Sequence, residues 1–407
     1  MRKEEILELS RKYGDEFYIF DTERFYHNIR KIDEVFSGYY RNFHIAYSYK
    51  TNYLPECCRI VSESGGYAEI VSEMELEIAH RCGVKNEDII WNGPVKNIDS
   101  LSEFLLSGGV PNIDNISEWK KISEVAEKNK EQTIFVGLRC NFDIGDGVIS
   151  RFGVEAFGND FVQILREIKE QRNVELYGIQ CHFANRELKY WKNRIKGMLD
   201  IYKYISEEFR MYPKRIDLGG GMSGEMSADF ARQIKHECCE IEDYAKQSAL
   251  FAADHFKDVD NAPELIIEPG TAVVADTMKL MCQVKNIRCI WGKWIATVSA
   301  SQKNISMQGI NPPIEIIHIN EEDSRDYPDM DIAGFTCIES DYLYKGYNGK
   351  LAVGDYVIFD YCGSYSLVYK PPFINPNIPV VGIGKDVKQS KLLKRRETAE
   401  DILCTYN

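Results

Sequence analysis

The sequence predicts an α/β protein: a (β/α)8 TIM barrel followed by a C-terminal all-β domain, which the N-terminal strand joins. Two observations predict this architecture. Between about residues 40 and 270, short apolar runs alternate eight times with longer amphipathic stretches of helical period, the pattern of a (β/α)8 barrel. Beyond about residue 275, apolar runs follow one another closely between Gly, Pro and Asp turns, which is typical of an all-β domain.

The chain has 407 residues, which is longer than a chain that folds around a single hydrophobic core usually is, so two domains are expected. We place an N-terminal helix and strand at 1–24, the barrel at 25–275 and the β-rich domain at 276–407. The segment E-F-Y-I-F-D at 16–21 is extended and is expected to join the β domain. A doubly wound open sheet is the alternative, but the count of eight and the lack of G-x-G-x-x-G after the first strand disfavour it.

Each apolar run is interpreted as one strand. The barrel strands are predicted at 43–49, 67–71, 88–92, 110–114, 133–139, 174–180, 215–218 and 265–268. Helices are predicted between them, for example at 72–81 and 159–170. Strands of the β domain are predicted at 278–284, 295–299, 314–319, 355–360 and 380–383.

Composition and charge exclude several classes of function. The formal net charge of −13 disfavours a nucleic-acid partner or an anionic membrane surface. The twelve cysteines show neither metal-type spacing nor a disulfide framework, so we expect free thiols, no metal site and a cytoplasmic location. No run of apolar residues reaches membrane-spanning length, and the charged N-terminus is not an apolar leader.

Polar, charged or Gly-rich residues follow seven of the eight barrel runs. A barrel of this kind gathers its active site at the C-terminal ends of its strands, so these positions are expected to meet on one rim. Any one of them could be an ordinary loop residue, but their shared position favours a functional site. The rim residues are Lys50, Glu69 with Ser72, Asn92-Gly93-Pro94, Arg139, His182, Gly219-Gly220-Gly221 and Glu268-Pro269-Gly270.

Lys50 follows the first apolar run, F-H-I-A-Y-S-Y. Its stem can be buried there, but the ammonium loses hydration unless it is paired or takes part in chemistry. Burial would lower the pKa of this amine, and a neutral amine can form a Schiff base with an aldehyde. The position therefore predicts a carbonyl cofactor.

Three further rim features fit such a cofactor. The glycines at 219–221 would let backbone N–H groups approach a phosphate, although a plain tight loop is the alternative. Glu268 would be desolvated unless it met a cation such as a protonated pyridine nitrogen; a structural salt bridge is the alternative. His182 could stack on a ring or be an ordinary core histidine. With Lys50, these features predict a pyridoxal 5′-phosphate site.

The chain resembles the fold-type III pyridoxal-phosphate enzymes, the group of diaminopimelate, ornithine and arginine decarboxylases and alanine racemase. It is more similar to the decarboxylase branch than to the racemase. The resemblance runs along nearly the whole chain through motifs in a fixed order. These are F-Y-I-F-D (17–21), Y-S-Y-K-T-N (47–52), G-G-Y-A-E-I-V-S (65–72), W-N-G-P-V-K (91–96), S-R-F-G-V (150–154), the His182 strand, D-L-G-G-G (217–221), E-P-G (268–270) and G-S-Y (363–365).

The resemblance implies a role for individual residues. Lys50 would be the Schiff-base lysine and His182 the histidine that stacks on the ring. Glu268 would hold the ring nitrogen, and Cys337 would return a proton after carbon dioxide leaves. Because the Cys337 segment enters the partner subunit's site in the family, a homodimer with shared active sites is implied. The implied cofactor-binding residues are Lys50, Glu69, Arg139, His182, Asn185, Gly219, Gly220, Gly221, Glu268, Pro269, Gly270, Thr271 and Tyr365; the implied substrate-binding residues are Glu339, Asp341 and Tyr365.

Three departures from the family pattern concern substrate and phosphate. Thr271 replaces the arginine of the familiar E-P-G-R, which in diaminopimelate decarboxylases helps to grip the distal carboxylate. The tract S-M-Q-G-I-N-P-P at 306–313 stands where those enzymes carry a second Arg and a Tyr. The turn after His182 is F-A-N in place of an apolar-Gly-Ser turn, so Asn185 is predicted to take the phosphate contact.

These departures predict an amino-acid decarboxylase that does not act on typical diaminopimelate. Glu339 and Asp341 would suit the distal amine of a diamino acid, and a modified or carrier-linked amino acid is the other substrate expected. The alternatives are an amino-acid racemase on the same scaffold and a diaminopimelate decarboxylase with an unusual distal site. A non-catalytic decarboxylase-like regulator is a further alternative, against which the presence of Lys50, His182, Glu268 and Cys337 argues.

Overall fold

The computed structural model describes residues 1–234, 239–307, 309–384 and 387–406. The chain forms two compact units. The first unit contains Met1–His27, Glu225–His236 and Val273–Asn407, and the second contains Asn28–Gly224 and Glu237–Ala272. The second unit lies within the segment 25–275 that was expected to form the barrel; both ends of that segment and the part beginning at Glu225 belong to the first unit.

Parallel strands close into a barrel in the second unit. The chain enters through α1 (Lys3–Tyr13), β1 (Glu16–Asp21) and α2 (Thr22–Tyr39). The next strands are β2 (Phe43–Ser48), β3 (Tyr67–Ile70), β4 (Ile89–Trp91), β5 (Val110–Ile113), β6 (Ile134–Asn141), the short β7 (Val154–Glu155), β8 (Val174–Gln180), β9 (Arg215–Asp217) and β10 (Glu264–Ile267). All but β7 form the closed ring, in which β10 pairs with β2 and β5 with β6. The eight predicted barrel strands and the barrel itself are confirmed.

Amphipathic helices connect these strands. In the helix at 159–170, the buried side chains are Phe161, Ile164, Leu165 and Ile168, a spacing that places them on one helical face. The predicted helices at 72–81 and 159–170 are confirmed. The helices are α3 (Pro55–Glu63), α4 (Glu73–Arg81), α5 (Ile98–Leu106), α6 (Ile116–Lys128), α7 (Asn159–Glu170), α8 (Leu188–Tyr204), α10 (Ile241–Gln247) and α11 (Ala249–His255); α9 (Ala228–Ile234) lies in the first unit.

The inside of the barrel is apolar at mid-height and polar towards the C-terminal ends of the strands. Ala46, Ile90 and Ile266 form a buried cluster. Because side chains alternate along a strand, residues two positions apart share a face of the sheet. Two residues further along the same strands stand Ser48, Asn92 and Glu268, all of them buried. The strand period thus delivers polar groups to the rim where the sequence predicts the site.

The first unit is built on a second sheet. Its remaining strands are β11 (Met278–Ile290), β12 (Lys293–Val298), β13 (Ile314–Ile317), β14 (Arg325–Ala333), β15 (Tyr342–Leu351), β16 (Tyr356–Phe359), β17 (Val380–Ile383) and β18 (Lys391–Lys394), and it contains the short helix α13 (Ala399–Leu403). The short helix α12 (Thr271–Val274) has residues in both units. The strand β1 pairs with β11 and with β17, which confirms that the segment at 16–21 joins this domain. Five of these eight strands were predicted from the sequence, and β14, β15 and β18 were not.

Candidate active site

Lys50 lies in a single 3-10 turn, Tyr49–Thr51, directly after β2. Its Nζ donates a hydrogen bond to Oε2 of Glu69 at the end of β3. The Oγ of Ser48 donates to the same oxygen at 2.6 Å. Ser48 and Glu69 are register partners in the β2–β3 ladder, so strand pairing alone brings these side chains together. The lysine therefore pairs with a buried carboxylate of the neighbouring strand.

The expectation that burial lowers the pKa of Lys50 is wrong for this arrangement. Burial acts in that direction, but attraction to Glu69 and Glu268 and the hydrogen bond to Glu69 outweigh it and raise the pKa. Glu69 is itself buried, yet the Lys50 charge holds the pKa of its carboxyl below the usual value. Because only a neutral amine attacks an aldehyde, Lys50 must first release a proton, and the ion pair with Glu69 opposes that release.

Asn92 connects the acidic groups of the rim. Its Nδ2 donates to Oε1 of Glu69 at 3.0 Å and to Oε1 of Glu268 at 2.5 Å. Its Oδ1 accepts a hydrogen bond from Nδ2 of Asn112 at 2.8 Å, which fixes the orientation of the amide. A Cβ at Gly137 would lie 1.7 Å from Oδ1 of Asn112, so glycine at this position makes room for the network.

Glu268 follows β10 and is 3% exposed. Its Oε1 accepts a second amide, Nε2 of Gln180, at 3.1 Å. Burial and the negative charge of Glu69 raise the pKa of Glu268 to about 7. The neighbouring Asp217 is also buried, and burial and the Glu268 charge raise its pKa well above the usual value. A positive group bound beside Glu268 would therefore be strongly favoured.

His182 supplies a neutral imidazole at the end of β8. Its Nδ1 accepts a hydrogen bond from the N–H of Gly220 at 3.0 Å. Burial, together with the positive charges of Lys50, Arg194 and Arg139, lowers the pKa of His182 well below its usual value. The ring therefore carries its proton on Nε2 and presents a flat, uncharged surface.

Glycines shape the loop after β9. Gly219 and Gly221 adopt φ of +68° and +91°, which favour glycine. A Cβ at Gly219 would lie 2.4 Å from the carbonyl oxygen of Cys181, and one at Gly220 would lie 2.5 Å from that of Glu268. Only glycines therefore allow this loop to approach its neighbours so closely.

The loop after β10 is equally tight. A Cβ at Gly270 would lie 2.1 Å from Oγ1 of Thr51, and the carbonyl oxygen of Pro269 accepts the N–H of Ser48 at 3.3 Å. Within the described residues, the N–H groups of Gly221, Gly270 and Thr271 have no hydrogen-bond partner. An amine, a buried carboxylate and unpaired N–H donors on two loops fit an aldehyde, a protonated ring nitrogen and a phosphate, the groups of pyridoxal 5′-phosphate.

Comparison with known proteins decides the family. The family described as "Pyridoxal-dependent decarboxylase, pyridoxal binding domain" matches residues 23–275, more than half of the chain. The chain belongs to this family. It is a pyridoxal-phosphate-dependent amino-acid decarboxylase, as the sequence predicts.

Individual relatives align with nearly the full length of this chain. The diaminopimelate decarboxylase of Methanocaldococcus jannaschii is 24% identical over 98% of this chain and 92% of its own length. The L-glutamyl–BtrI acyl-carrier protein decarboxylase of Niallia circulans is 25% identical over 98% of this chain and 96% of its own.

Solved structures share the fold of the decarboxylase. The crystal structure of the M. jannaschii enzyme gives a TM-score of 0.87 at 22% identity, over 98% of this chain and 94% of that one. The arginine decarboxylase of Paramecium bursaria Chlorella virus gives 0.74 at 18% identity, over 94% of this chain and all of that one. In the described part of this chain, no helix is long and apolar enough to span a membrane.

Two predicted cofactor contacts of the decarboxylase are engaged within the protein. Arg139 forms an ion pair with Asp114 at 3.3 Å, and its guanidinium lies 4.8 Å from the ring centre of Phe152. Asn185 uses its Oδ1 to accept the N–H of Glu187 at 3.1 Å and so closes its own turn. Direct contact of Arg139 or Asn185 with the cofactor stays a prediction.

The loop at 334–341, in the first unit, carries three predicted residues of the site. Cys337 and Glu339 are exposed, whereas Asp341 is buried. Both carboxylate oxygens of Asp341 are occupied by hydrogen bonds from Ser301, Gln302 and Thr336. Through these contacts Asp341 stabilises the loop that carries Cys337 and Glu339. The roles of all three residues towards substrate stay predictions.

Tyr365 has an unusual backbone. It adopts φ of +61°, a conformation that is uncommon for a bulky residue and that clusters at functional sites. Its half-buried ring stacks on Tyr369 with centroids 5.5 Å apart. In the same G-S-Y motif, a Cβ at Gly363 would lie 1.7 Å from the carbonyl oxygen of Val274. The motif thus packs tightly in the first unit, and the predicted cofactor contact of Tyr365 stays a prediction.

The sequence analysis missed three members of the rim network. Asn112, Gln180 and Asp217 lie within predicted strands and all three are buried. Alternation could have revealed Asp217, because it shares a face with Gly219 in D-L-G-G-G. A polar residue in a strand usually indicates a solvent-facing side, whereas in a closed barrel that side is the interior.

Proposed function

We propose that this decarboxylase removes the α-carboxylate of an amino acid whose far end differs from that of free diaminopimelate. The substrate class is a diamino acid with a distal amine, or a modified or carrier-linked amino acid. The observation that carries the proposal is Thr271, which stands where an arginine would grip a distal carboxylate. A threonine hydroxyl supplies neither the positive charge nor the bidentate geometry for that group.

Two further observations support this substrate class. The exposed carboxylate of Glu339, two residues from Cys337, suits a cationic far end better than an anionic one. The relatives are named for diaminopimelate, arginine and carrier-bound glutamate, so related scaffolds serve substrates with different far ends. We therefore assign specificity to the distal part of the site and cofactor chemistry to the barrel rim.

The cofactor end of the site would work through residues of the barrel. Bound pyridoxal phosphate supplies an electron sink for the charge left when carbon dioxide departs. Lys50, which is paired with Glu69, would be the residue that holds the cofactor through its aldehyde group. Glu268 would accept a hydrogen bond from the ring nitrogen, and the neutral imidazole of His182 would cover one face of the ring. We assign the return of a proton to the substrate to Cys337 of the partner subunit, in a homodimer.

The substrate class is tested by release of carbon dioxide from a panel of compounds. The panel contains meso-diaminopimelate, ornithine, lysine, arginine, glutamate and a carrier-bound glutamyl thioester. We expect turnover of a compound with a distal amine, or of the carrier-bound compound, and little turnover of diaminopimelate. Rapid turnover of diaminopimelate would overturn the proposal, because Thr271 would then suffice at the distal end.

A matched pair of variants separates the two forms of the proposal. If the substrate has a distal amine, Glu339→Gln is expected to raise its KM about tenfold with little change in kcat, since an ion pair to the far end is lost. Glu322→Gln, at an exposed acidic position of the same unit, is the control. An unchanged KM in Glu339→Gln would favour the carrier-linked form.

A further inference from the structure

Arg194, on α8, is completely buried, which is rare for an arginine without a charged partner. Its guanidinium contacts backbone carbonyl oxygens instead. Within residues 1–234, 239–307, 309–384 and 387–406, no carboxylate forms an ion pair with it. Its Nη1 donates to the carbonyl oxygens of Leu218 (2.9 Å) and Gly220 (2.6 Å), and its Nη2 to those of Phe183 (2.9 Å) and Asn185 (3.3 Å).

These carbonyl groups belong to two loops of the barrel rim. One loop follows β8 and the other is the glycine loop after β9. Trp191, one turn earlier on the same face of α8, donates from Nε1 to the carbonyl oxygen of Gly221 at 3.1 Å. A Cβ at Gly221 would lie 3.0 Å from the carbonyl oxygen of Phe183, so the two loops are in close contact next to the guanidinium. One helix face thus holds both loops.

The direction of these carbonyl groups determines the direction of the next N–H groups. In a trans peptide the N–H points away from the preceding C=O. Because the carbonyls of Gly220 and Gly221 turn towards α8, the N–H groups of Gly221 and Met222 point away from it. Neither N–H has a hydrogen-bond partner in the described part of the chain. Adjacent unpaired N–H groups of this kind bind anions.

We propose that Arg194 is the positioning residue of the phosphate site. It holds both loops so that the N–H groups of Gly221 and Met222 face the phosphate of pyridoxal 5′-phosphate. Its charge, which no carboxylate of the described chain balances in an ion pair, adds to the attraction for the phosphate dianion. The proposal rests on the cofactor of the family and does not depend on the substrate proposed above.

The test compares two ligands that differ only by the phosphate. The dissociation constants of pyridoxal 5′-phosphate and pyridoxal are measured with cofactor-free protein by absorbance titration. In Arg194→Met, the constant for pyridoxal phosphate is expected to rise about tenfold or more, and that for pyridoxal to change less than about twofold. Lys189→Met is the matched control, because it removes a charge from an exposed position of the same helix. This control is expected to leave both constants unchanged.

Other outcomes overturn the proposal. An equal loss of affinity for both ligands would mean that Arg194 merely stabilises the barrel, and no loss would mean that it is irrelevant to the phosphate. Arg194→Lys keeps the charge with fewer fixed donors and is expected to lie between wild type and Arg194→Met. If Arg194→Met does not fold, the same comparison of ligands is decided in Arg194→Lys. Failure of the wild type to bind either ligand would instead contradict the cofactor, so the two failures are distinguishable.

Discussion

Among single residues, Asn92 connects the two buried glutamates of the rim by hydrogen bonds. It is 2% exposed and donates to both Glu69 and Glu268, while Asn112 holds its amide in place. Burial disfavours the ionised form of both carboxylates, and hydrogen bonds from amides stabilise that form. Asn92 therefore affects both the carboxylate that pairs with Lys50 and the proposed partner of the ring nitrogen.

Replacing this amide is expected to move the pH dependence of the reaction. Asn92→Ala removes a donor from Glu268, whose pKa is already raised to about 7 by burial and by Glu69. Loss of a hydrogen bond to the ionised carboxylate raises this pKa further, by about one unit. The acidic limb of kcat/KM should therefore shift to higher pH, with an activity loss of about fivefold near pH 7.

The control for this prediction is a half-buried asparagine that caps a helix. Asn115 caps α6 by accepting the N–H of Glu118, outside the rim network. Asn115→Ala is expected to reduce stability while the acidic limb of kcat/KM stays where it is. An acidic limb that did not move in Asn92→Ala would show that Glu268 is not controlled by this amide.

At the scale of elements, a second polar cluster connects neighbouring barrel strands at the end of the barrel opposite to the rim. Nδ1 of His44 on β2 lies 2.7 Å from Oε1 of Glu264 on β10, and Nε of Arg215 on β9 lies 2.7 Å from Oε2. Tyr67 on β3 donates to the same carboxylate at 2.7 Å. One carboxylate thus links four neighbouring strands. The charge of Asp33 also favours the protonated form of His44, whereas the charge of Arg215 disfavours it.

This cluster predicts a pH-dependent contribution to stability. The Glu264 carboxylate, 2.7 Å from Nδ1, raises the pKa of His44 above its ordinary value of 6.5, although burial and the Arg215 charge oppose this. A raised histidine pKa stabilises the fold fully below pH 6.5, and this stabilisation is lost as pH rises through the folded pKa. His44 is 40% exposed, so the effect should stay below about 1 kcal/mol.

The measurement is the free energy of unfolding of wild type and His44→Gln in denaturant at pH 6 and pH 8.5. Glutamine can keep a neutral hydrogen bond to Glu264 but cannot titrate. The stability advantage of the wild type should be larger at pH 6 than at pH 8.5. His255→Gln, at the exposed end of α11, is the control. An advantage that grew with pH would contradict the assigned sign.

Elements with strong local patterns were predictable from the sequence, and elements defined by partners were not. The barrel strands carry apolar runs bounded by turns, whereas β14, with the sequence R-D-Y-P-D-M-D-I-A, is charged and contains a proline. The rim position of Lys50 followed from the order of strands. The direction of its pKa shift did not, because it depends on Glu69, which strand pairing places beside it.

At the scale of the whole molecule, the residues predicted to be catalytic belong to two compact units. Lys50, His182 and Glu268 lie in the barrel unit, and Cys337 lies in the unit built on the second sheet. The resemblance to the family implies that the Cys337 segment serves the site of the partner subunit. If so, neither unit of one chain suffices, and the homodimer is required for catalysis.

Subunit exchange tests this arrangement. Lys50→Ala and Cys337→Ala proteins are each expected to be nearly inactive as pure homodimers. In a mixed dimer with shared sites, one site receives both wild-type residues and the other receives neither. Random exchange makes half of the dimers mixed, so an equimolar mixture should recover about a quarter of wild-type activity. If Lys50 and Cys337 of one chain served the same site, every site would keep one defect and mixing would restore nothing. Each variant incubated alone under the same exchange conditions controls for changes unrelated to mixing.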